Sequence, residues 1–182
     1  NRVFAERLEQ EGVIFIGPPV GAIEAMGDKI TSKKIAAEAG VSTVPGYMGL
    51  IADADEAVGI SNEIGYPVMI KASAGGGGKG MRVAETPEDF AVGLAGAKRE
   101  ALASFGDDRM LIEKYLVRPR HIEVQVFADN HGNCVSLFER DCSIQRRHQK
   151  VIEEAPAPGL SDDLRKRMGD AAVTAARAVH YS

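Results

Sequence analysis

Residues 75–78 are four consecutive glycines, followed by Lys79 and Gly80, and they separate two short apolar runs at residues 68–73 and 81–84. Glycine weakens a helix at every position it occupies, so the flanking runs are expected to be strands joined by a hairpin with a bare backbone. Main-chain N–H groups without Cβ neighbours can fold closely over an anion, and Lys79 adds positive charge. A surface hairpin that binds nothing is the competing reading. The phosphate-binding P-loop is excluded, because it needs Gly where Ser73 stands and Ser or Thr where Gly80 stands. Gly75, Gly77 and Gly80 formally meet the dinucleotide-binding pattern, but that pattern requires a helix to follow at once, and a strand is expected instead. Lys71 sits near the end of the first run. An ammonium there is costly unless it meets a partner such as a nucleotide phosphate, or snorkels to water at the strand end.

Composition removes several classes of function. The 182 residues carry 22 basic and 26 acidic side chains, a net charge of −4, with no basic face spread over the chain, which argues against a nucleic-acid partner. No apolar run approaches the roughly 18 residues of a membrane span. Trp is absent and aromatics are 5%, which argues against a base- or sugar-stacking surface. Cys134 and Cys142 lie in one extended stretch, about 26 Å apart at ~3.3 Å per residue, too far for a disulfide. A reducing compartment is expected, and no Cys/His spacing suggests a metal site. No signal-like segment follows Asn1, and both ends read as cuts through a longer protein.

The pattern of elements alternates. Helices are expected over residues 2–10, from about residue 23 to 39 with Gly40 as the stop, and over 53–64. Thr86 caps a long helix with Pro87 at its first position, whose stripe is Phe90, Leu94, Ala97, Ala101 and Phe105. Ser161 caps another, with Leu164, Met168, Ala171, Ala175 and Val179 on one face. Strands are expected at 12–17, 68–73, 81–84, 110–116, 121–127 and 133–139, with a turn at 129–132. The class is α/β, with an α+β lobe set into a larger α/β enzyme.

The most distinctive stretch runs from Glu139 through Arg140, Asp141, Cys142, Ser143, Ile144, Gln145, Arg146, Arg147, His148 and Gln149 to Lys150, with Glu153, Glu154 and a Pro-rich segment to Pro158. By itself it is a dense polar run. It follows a strand with little turn chemistry, which suits the wall of an anion site better than a loop tip. Together with residues 26–29, 66–73, the glycine run and Glu113-Lys114-Tyr115-Leu116, it closely resembles biotin carboxylase, the ATP-grasp component of biotin-dependent carboxylases. The motifs occur in order over essentially the whole chain. Residues 72–82 and 105–109 look most like the α subunit of an acyl-CoA carboxylase, propionyl-CoA carboxylase in particular.

The resemblance implies a partial ATP-grasp fold. Residues 1–43 would be the end of the N-terminal domain with a connecting helix. Residues 44–116 would be the lid lobe, and 117–182 the start of the C-terminal, antiparallel-sheet lobe. Lys29 and Lys71 would hold ATP phosphates, and Gly77 and Gly78 would belong to the closing loop. Glu113, Lys114, Tyr115 and Leu116 would form the adenine-side hinge. His121 would meet the ribose region, Gln145 and His148 would lie toward nucleotide and phosphates, and Lys150 would bind bicarbonate.

The implied cofactors are ATP, Mg²⁺ with its ligands downstream of this segment, and biotin as carried substrate. The implied partners are a biotinylated carrier domain and a carboxyltransferase subunit, with no nucleic acid and no membrane. The location would be cytoplasmic in a bacterium or the mitochondrial matrix in a eukaryote, and the 182-residue piece alone is expected to be inactive. Another ATP-grasp carboxylate–amine ligase, or a nucleotide-binding segment without turnover, are the alternatives.

Overall fold

Four side chains start helices in the computed structural model by accepting from a backbone N–H three residues on. Asn1, Asp28, Thr86 and Ser161 do so at 3.3, 2.8, 3.3 and 3.2 Å. They open α1 (Arg2–Gln10), α3 (Lys29–Glu38), α5 (Pro87–Phe105) and α6 (Asp162–Ala178). The structure describes residues 1–47, 49, 51, 54–74, 78–146 and 149–182, with the backbone alone at 54. The chain forms two units, one of residues 1–42, 120–145 and 150–182, the other of 43–119 and 146–149.

In the second of these, α4 (Ala54–Ile64) and α5 accompany a sheet of β1 (Gly46–Tyr47), β2 (Val68–Ala72), β3 (Met81–Ala84) and β4 (Met110–Lys114). The strand order is β1-β4-β2-β3, and every pair is antiparallel. Strand alternation turns Val68, Ile70 and Ala72 to one face, where they meet Met110 and Ile112 of β4 and the stripe Phe90, Leu94, Ala97 and Ala101 of α5. Burying a side chain such as Phe90 is worth about 1.5–3 kcal/mol, so this cluster is what holds the lobe together. The glycine run does join two strands of one hairpin, as expected. Gly80 has φ +65°, and a Cβ there would lie 3.0 Å from that of Ala72 and 3.3 Å from that of Ala101. Only glycine fits that corner without displacing the core.

The other unit contains α1, α2 (Val20–Gly27), α3, β5 (Ile122–Ala128), β6 (Cys134–Arg146), β7 (Gln149–Glu154) and α6, with the strands in the order β5-β6-β7. The expected turn is present: Asp129 Oδ1 accepts from the N–H groups of His131 and Asn133, both at 2.9 Å, and Gly132 has φ +90°. Val124 pairs with Glu139 but Val126 pairs with Ser136, so β6 carries one extra residue, and Phe138 there has φ +62°. This bulge changes the facing of everything beyond it. Ser136 and Glu139 share one face with Val124 and Val126, while Arg140, opposite Glu123, lies on the other with Cys142.

Three expectations need correcting. Residues 12–17 are not a strand: Ile14 and Ile16 are 89% and 96% exposed, and Phe15 meets Phe4 edge-on at 6.3 Å. A single apolar run becomes a strand only where neighbours take its backbone groups, and neither sheet pairs with this one. The helix expected from 23 to 39 is two helices, because Asp28 adopts φ −109°, ψ 124° and caps α3. The polar run begins as strand: β6 continues to Arg146, seven residues past the expected end at 139 (146 − 139), and β7 follows. Hydrogen bonding to a neighbouring strand, which is indifferent to side-chain polarity, carries it on.

Candidate functional site

Period-two alternation places His121 and Glu123 on one face of the extended chain at β5, and the bulge brings Arg140 and Cys142 of β6 to the same side. Glu123 divides its carboxylate. Oε1 accepts from Arg140 Nε and Nη2 at 3.1 and 2.8 Å, and Oε2 accepts from the Lys150 ammonium on β7. The Lys150 and Arg140 hydrogen bonds hold the Glu123 carboxyl down to about 2, overcoming the opposite effect of its burial. In return, Glu123 raises the Lys150 ammonium and the Arg140 guanidinium above their ordinary values. Glu153 lies 3.7 Å from Arg140 Nε.

His121 is tied on three sides. Its N–H donates to Ser143 Oγ at 2.8 Å, its carbonyl accepts from Cys142 N–H at 2.9 Å, and its Nδ1 lies 2.9 Å from Gln145 Nε2. An amide nitrogen only donates, so the proton of a neutral His121 ring sits on Nε2. Gln145 Nε2 also donates to the Cys142 carbonyl at 2.9 Å. His121 and Gln145 are thus positioned by bonds they share with each other and with Cys142, and Lys150, on the same sheet, by its bond to Glu123. The buried Cys142 thiol is pushed up, chiefly by desolvation, and stays protonated at neutral pH.

In the other unit, Lys71 and Glu113 form an ion pair across neighbouring strands β2 and β4. The partner that Lys71 requires within the chain is therefore a carboxylate. Glu113 is 8% exposed, and Gly46 stands directly opposite it, where a Cβ would come within 2.6 Å of the Ile112 carbonyl oxygen. The Lys114 ammonium donates to the carbonyls of Gly65 and Tyr66, both at 2.8 Å, which fixes the turn before β2. The N–H groups of Lys114 and Tyr115 donate to the Pro45 and Pro67 carbonyls at 2.8 and 3.0 Å. Tyr115 and Leu116 lie beyond the end of β4, which was expected to run to 116. Gly78 has φ +78°. Gly77 and His148 lie outside the described residues.

Lys29 is the first residue of α3, in the other unit from Lys71. Asp28 beside it accepts from Thr31 N–H and Oγ1 at 2.8 and 3.0 Å. A cation in a helix's first turn opposes the macrodipole, so Lys29 is not there for helix stability.

Glu123 and Arg140 escaped the sequence reading as site residues. Alternation in residues 121–127 does put Glu123 beside His121, but its contact with Arg140 depends on the bulge. Beneath the other face, Glu139 is 3% exposed and accepts from Arg165 Nε at 2.9 Å and Ala157 N–H at 3.3 Å. The Arg165 hydrogen bond lowers its carboxyl.

A hard cation such as Mg²⁺ selects oxygen ligands. Among the described residues, one group has ligand atoms near enough for an ion: His121, Glu123 and Cys142, within 4.8 Å of one another. Its mixed nitrogen, oxygen and sulfur set does not fit Mg²⁺, and two cations already hold its carboxylate. No metal is assigned to it.

Residues 28–182 match the family described as "Carbamoyl-phosphate synthase L chain, ATP binding domain". The chain belongs to that family. This ATP-binding domain is 68% identical over 182 residues to the propionyl-CoA carboxylase alpha chain of Ruegeria pomeroyi, covering all of this chain and 27% of that protein. It is 64% identical over 181 residues to the mitochondrial methylcrotonoyl-CoA carboxylase subunit alpha of Dictyostelium discoideum, covering 26% of it. The ATP-binding domain thus spans about a quarter of the length of the curated relatives it matches. Among solved structures, the biotin carboxylase of Campylobacter jejuni, in a complex with β,γ-ATP, is 47% identical with a TM-score of 0.97 over the whole chain and 41% of its own. The biotin carboxylase domain of Hydrogenobacter thermophilus 2-oxoglutarate carboxylase, in complex with MgADP, ADP and bicarbonate, is 48% identical with a TM-score of 0.95, covering 40% of that chain. The expected partial ATP-grasp fold of biotin carboxylase is borne out. No helix among the described residues is long and apolar enough to cross a membrane.

Proposed function

We propose that this domain binds the ATP of a biotin carboxylase, which activates bicarbonate and carboxylates biotin within an acyl-CoA carboxylase that acts on propionyl-CoA. The supporting observation is the 68% identity to a propionyl-CoA carboxylase alpha chain over all 182 residues. A bicarbonate oxygen would attack the γ-phosphorus, giving carboxyphosphate and ADP. Carboxyphosphate would then break down to phosphate and CO₂, and the biotin ureido nitrogen would attack that CO₂ while passing its proton to the released phosphate. Mg²⁺ would neutralise phosphate charge, with ligands expected downstream of these residues.

In this reading Lys29 and Lys71 bind phosphates, and Lys71 exchanges its bond to Glu113 for one to a phosphate oxygen. Gly77 and Gly78 lie in the closing loop of a lid lobe, residues 44–116, that keeps water from carboxyphosphate. Residues 1–43 end the N-terminal domain and 117–182 begin the C-terminal lobe. At the hinge Glu113-Lys114-Tyr115-Leu116, two N–H groups already serve the strand, so base reading falls to the remaining backbone groups. His121, with its proton on Nε2, faces the ribose; Gln145 and His148 lie toward nucleotide and phosphates. Lys150 binds bicarbonate. A biotinylated carrier domain and a carboxyltransferase subunit are the partners.

The test is ADP formation by the full-length protein with bicarbonate and free biotin. Dependence on both is expected; turnover with an amine acceptor and none with biotin would identify a carboxylate–amine ligase instead. Faster carboxylation of 3-methylcrotonyl-CoA than of propionyl-CoA by the assembled enzyme would overturn the choice of acyl group.

A further inference from the structure

We infer that Asp141 and Ser143 are positioning residues for His121, acting on its main chain from the neighbouring strand. The inference rests on the reading of His121 as a nucleotide contact and extends it to residues outside that reading.

The sheet opens by half a step at this histidine. The ladder between β5 and β6 runs to Ile122↔Asp141. The next pair, His121 and Cys142, makes one bond, from the Cys142 N–H to the His121 carbonyl at 2.9 Å. In an antiparallel sheet such a pair exchanges two bonds, the second running from the His121 N–H to the Cys142 carbonyl. Both groups of that second bond are diverted onto side chains. The His121 N–H donates to Ser143 Oγ at 2.8 Å, and the Cys142 carbonyl accepts from Gln145 Nε2 at 2.9 Å. Gln145 Nε2 also meets the ring, 2.9 Å from Nδ1. The histidine is therefore held by side chains where a strand residue would be held by the ladder, and its ring direction follows from where they place its main chain.

A serine hydroxyl is a rotor, and it offers a lone pair to one donor steadily only when its own proton is claimed elsewhere. Asp141 claims it. Oδ1 accepts from the Ser143 N–H at 2.8 Å, and the Ser143 side-chain hydrogen bond is the largest cause that holds this carboxyl at about 2, ahead of Arg120. The carboxylate is kept from turning away, because Oδ2 accepts from Arg120 Nε and Nη2 at 3.1 and 2.8 Å. Arg120 immediately precedes His121, and its Nη2 also donates to the Pro158 carbonyl at 2.7 Å. Asp141 is 15% exposed at its side chain, so water competes little for these bonds. One carboxylate thus sets both the residue before the histidine and the hydroxyl that takes its N–H. Glu123 and Lys150 bond each other and neither Asp141 nor Ser143, so loss of this network should fall on ATP and not on bicarbonate.

The experiment uses the full-length protein with Ser143→Ala, Ser143→Thr, Asp141→Asn and His121→Ala, and with Ser143→Ala combined with His121→Ala. Equilibrium affinity for ATP, KM for bicarbonate and kcat are measured. Ser143→Ala and Asp141→Asn are each expected to weaken ATP binding about three- to ten-fold, the scale of one lost hydrogen bond, with KM for bicarbonate within about two-fold. Ser143→Thr keeps the hydroxyl and should bind ATP within about two-fold of the unaltered protein. Added to His121→Ala, Ser143→Ala should cost less than about two-fold more, because the group it positions is already gone. Should Asp141→Asn fail to fold, Ser143→Ala with its threonine counterpart decides the matter.

Unchanged ATP affinity in Ser143→Ala, with His121→Ala still weakening it, would overturn the inference alone. If His121→Ala itself leaves ATP affinity unchanged, the reading of His121 fails and the inference falls with it. An equal factor for Ser143→Ala with and without His121, or equal losses for ATP and bicarbonate, would mark a merely structural role and also overturn it.

Discussion

The two sheets of this protein are held together by different forces. In the β1–β4 sheet, one cluster of apolar side chains from residues 57–112 joins strands to α4 and α5, and nearly every member is less than a tenth exposed. The β5–β7 sheet carries Glu123, Arg140 and Lys150 on one side and Glu139 with Arg165 on the other. Its apolar residues Phe127, Val135, Leu137 and Phe138 are 50–71% exposed. Apolar packing makes the first sheet a rigid carrier for a glycine loop. Ion pairs give the second a set of charges held in place but still open to exchange with an anion. Under the proposed function, a lobe closing over a nucleotide would need its own core, whereas a surface meeting bicarbonate would need cations with partners they can share.

That contrast can be broken by mutation. Phe90→Ala removes the centre of the first core and should cost about 3–5 kcal/mol, read as a lower urea midpoint by circular dichroism. A cost below about 1 kcal/mol would deny that the cluster carries the lobe. Glu139→Ala leaves Arg165, whose side chain is 28% exposed, with its more exposed partner Asp162 at 3.2 Å in place of the buried carboxylate. About 1–3 kcal/mol is expected, and a neutral result would mean that water and Asp162 serve Arg165 equally well.

Acid should act on the second sheet through smaller increments. The carboxyls of Glu123 and Asp141 are each held at about 2, the first by Lys150 and Arg140, the second by Ser143 and Arg120. Groups lowered by folding stabilise the protein above their ordinary values, near 4.5 and 3.8, and lose that contribution as pH falls toward 2. Urea midpoints should therefore decline over that window, and the decline should be shallower in Asp141→Asn. Smallest of all, Val135→Ala, at a position 50% exposed, should shift stability by no more than about 0.5 kcal/mol. A loss near that of Phe90→Ala would erase the distinction between the sheets.

How much could be read in advance follows the same division. The caps at Thr86 and Ser161, the stripe from Phe90 to Ala101, the glycine hairpin and the turn at Gly132 were all legible, because each depends on residues a few positions apart. The apolar run at 12–17 misled, since its composition suits a strand but its backbone has no strand beside it. Asp28 hid a helix break inside a continuous hydrophobic spacing, although an Asp preceding Lys29 and Thr31 is itself a cap signal. Glu123 was visible only as one member of an alternating strand.

The family, the α/β class, the glycine loop and the basic residues that could meet an anion follow from residue order alone, because ordered motifs and short-range periodicity are written in adjacent positions. How those charges are paired emerges from the folded arrangement of the strands. Lys71 with Glu113, Lys150 with Glu123, and Arg140 with that same carboxylate join residues 17 to 42 positions apart. Those pairings depend on strand register, and at Arg140 on one extra residue at Phe138. Register is set by the hydrogen bonds of whole strands, and a slip of one residue turns every side chain to the other face.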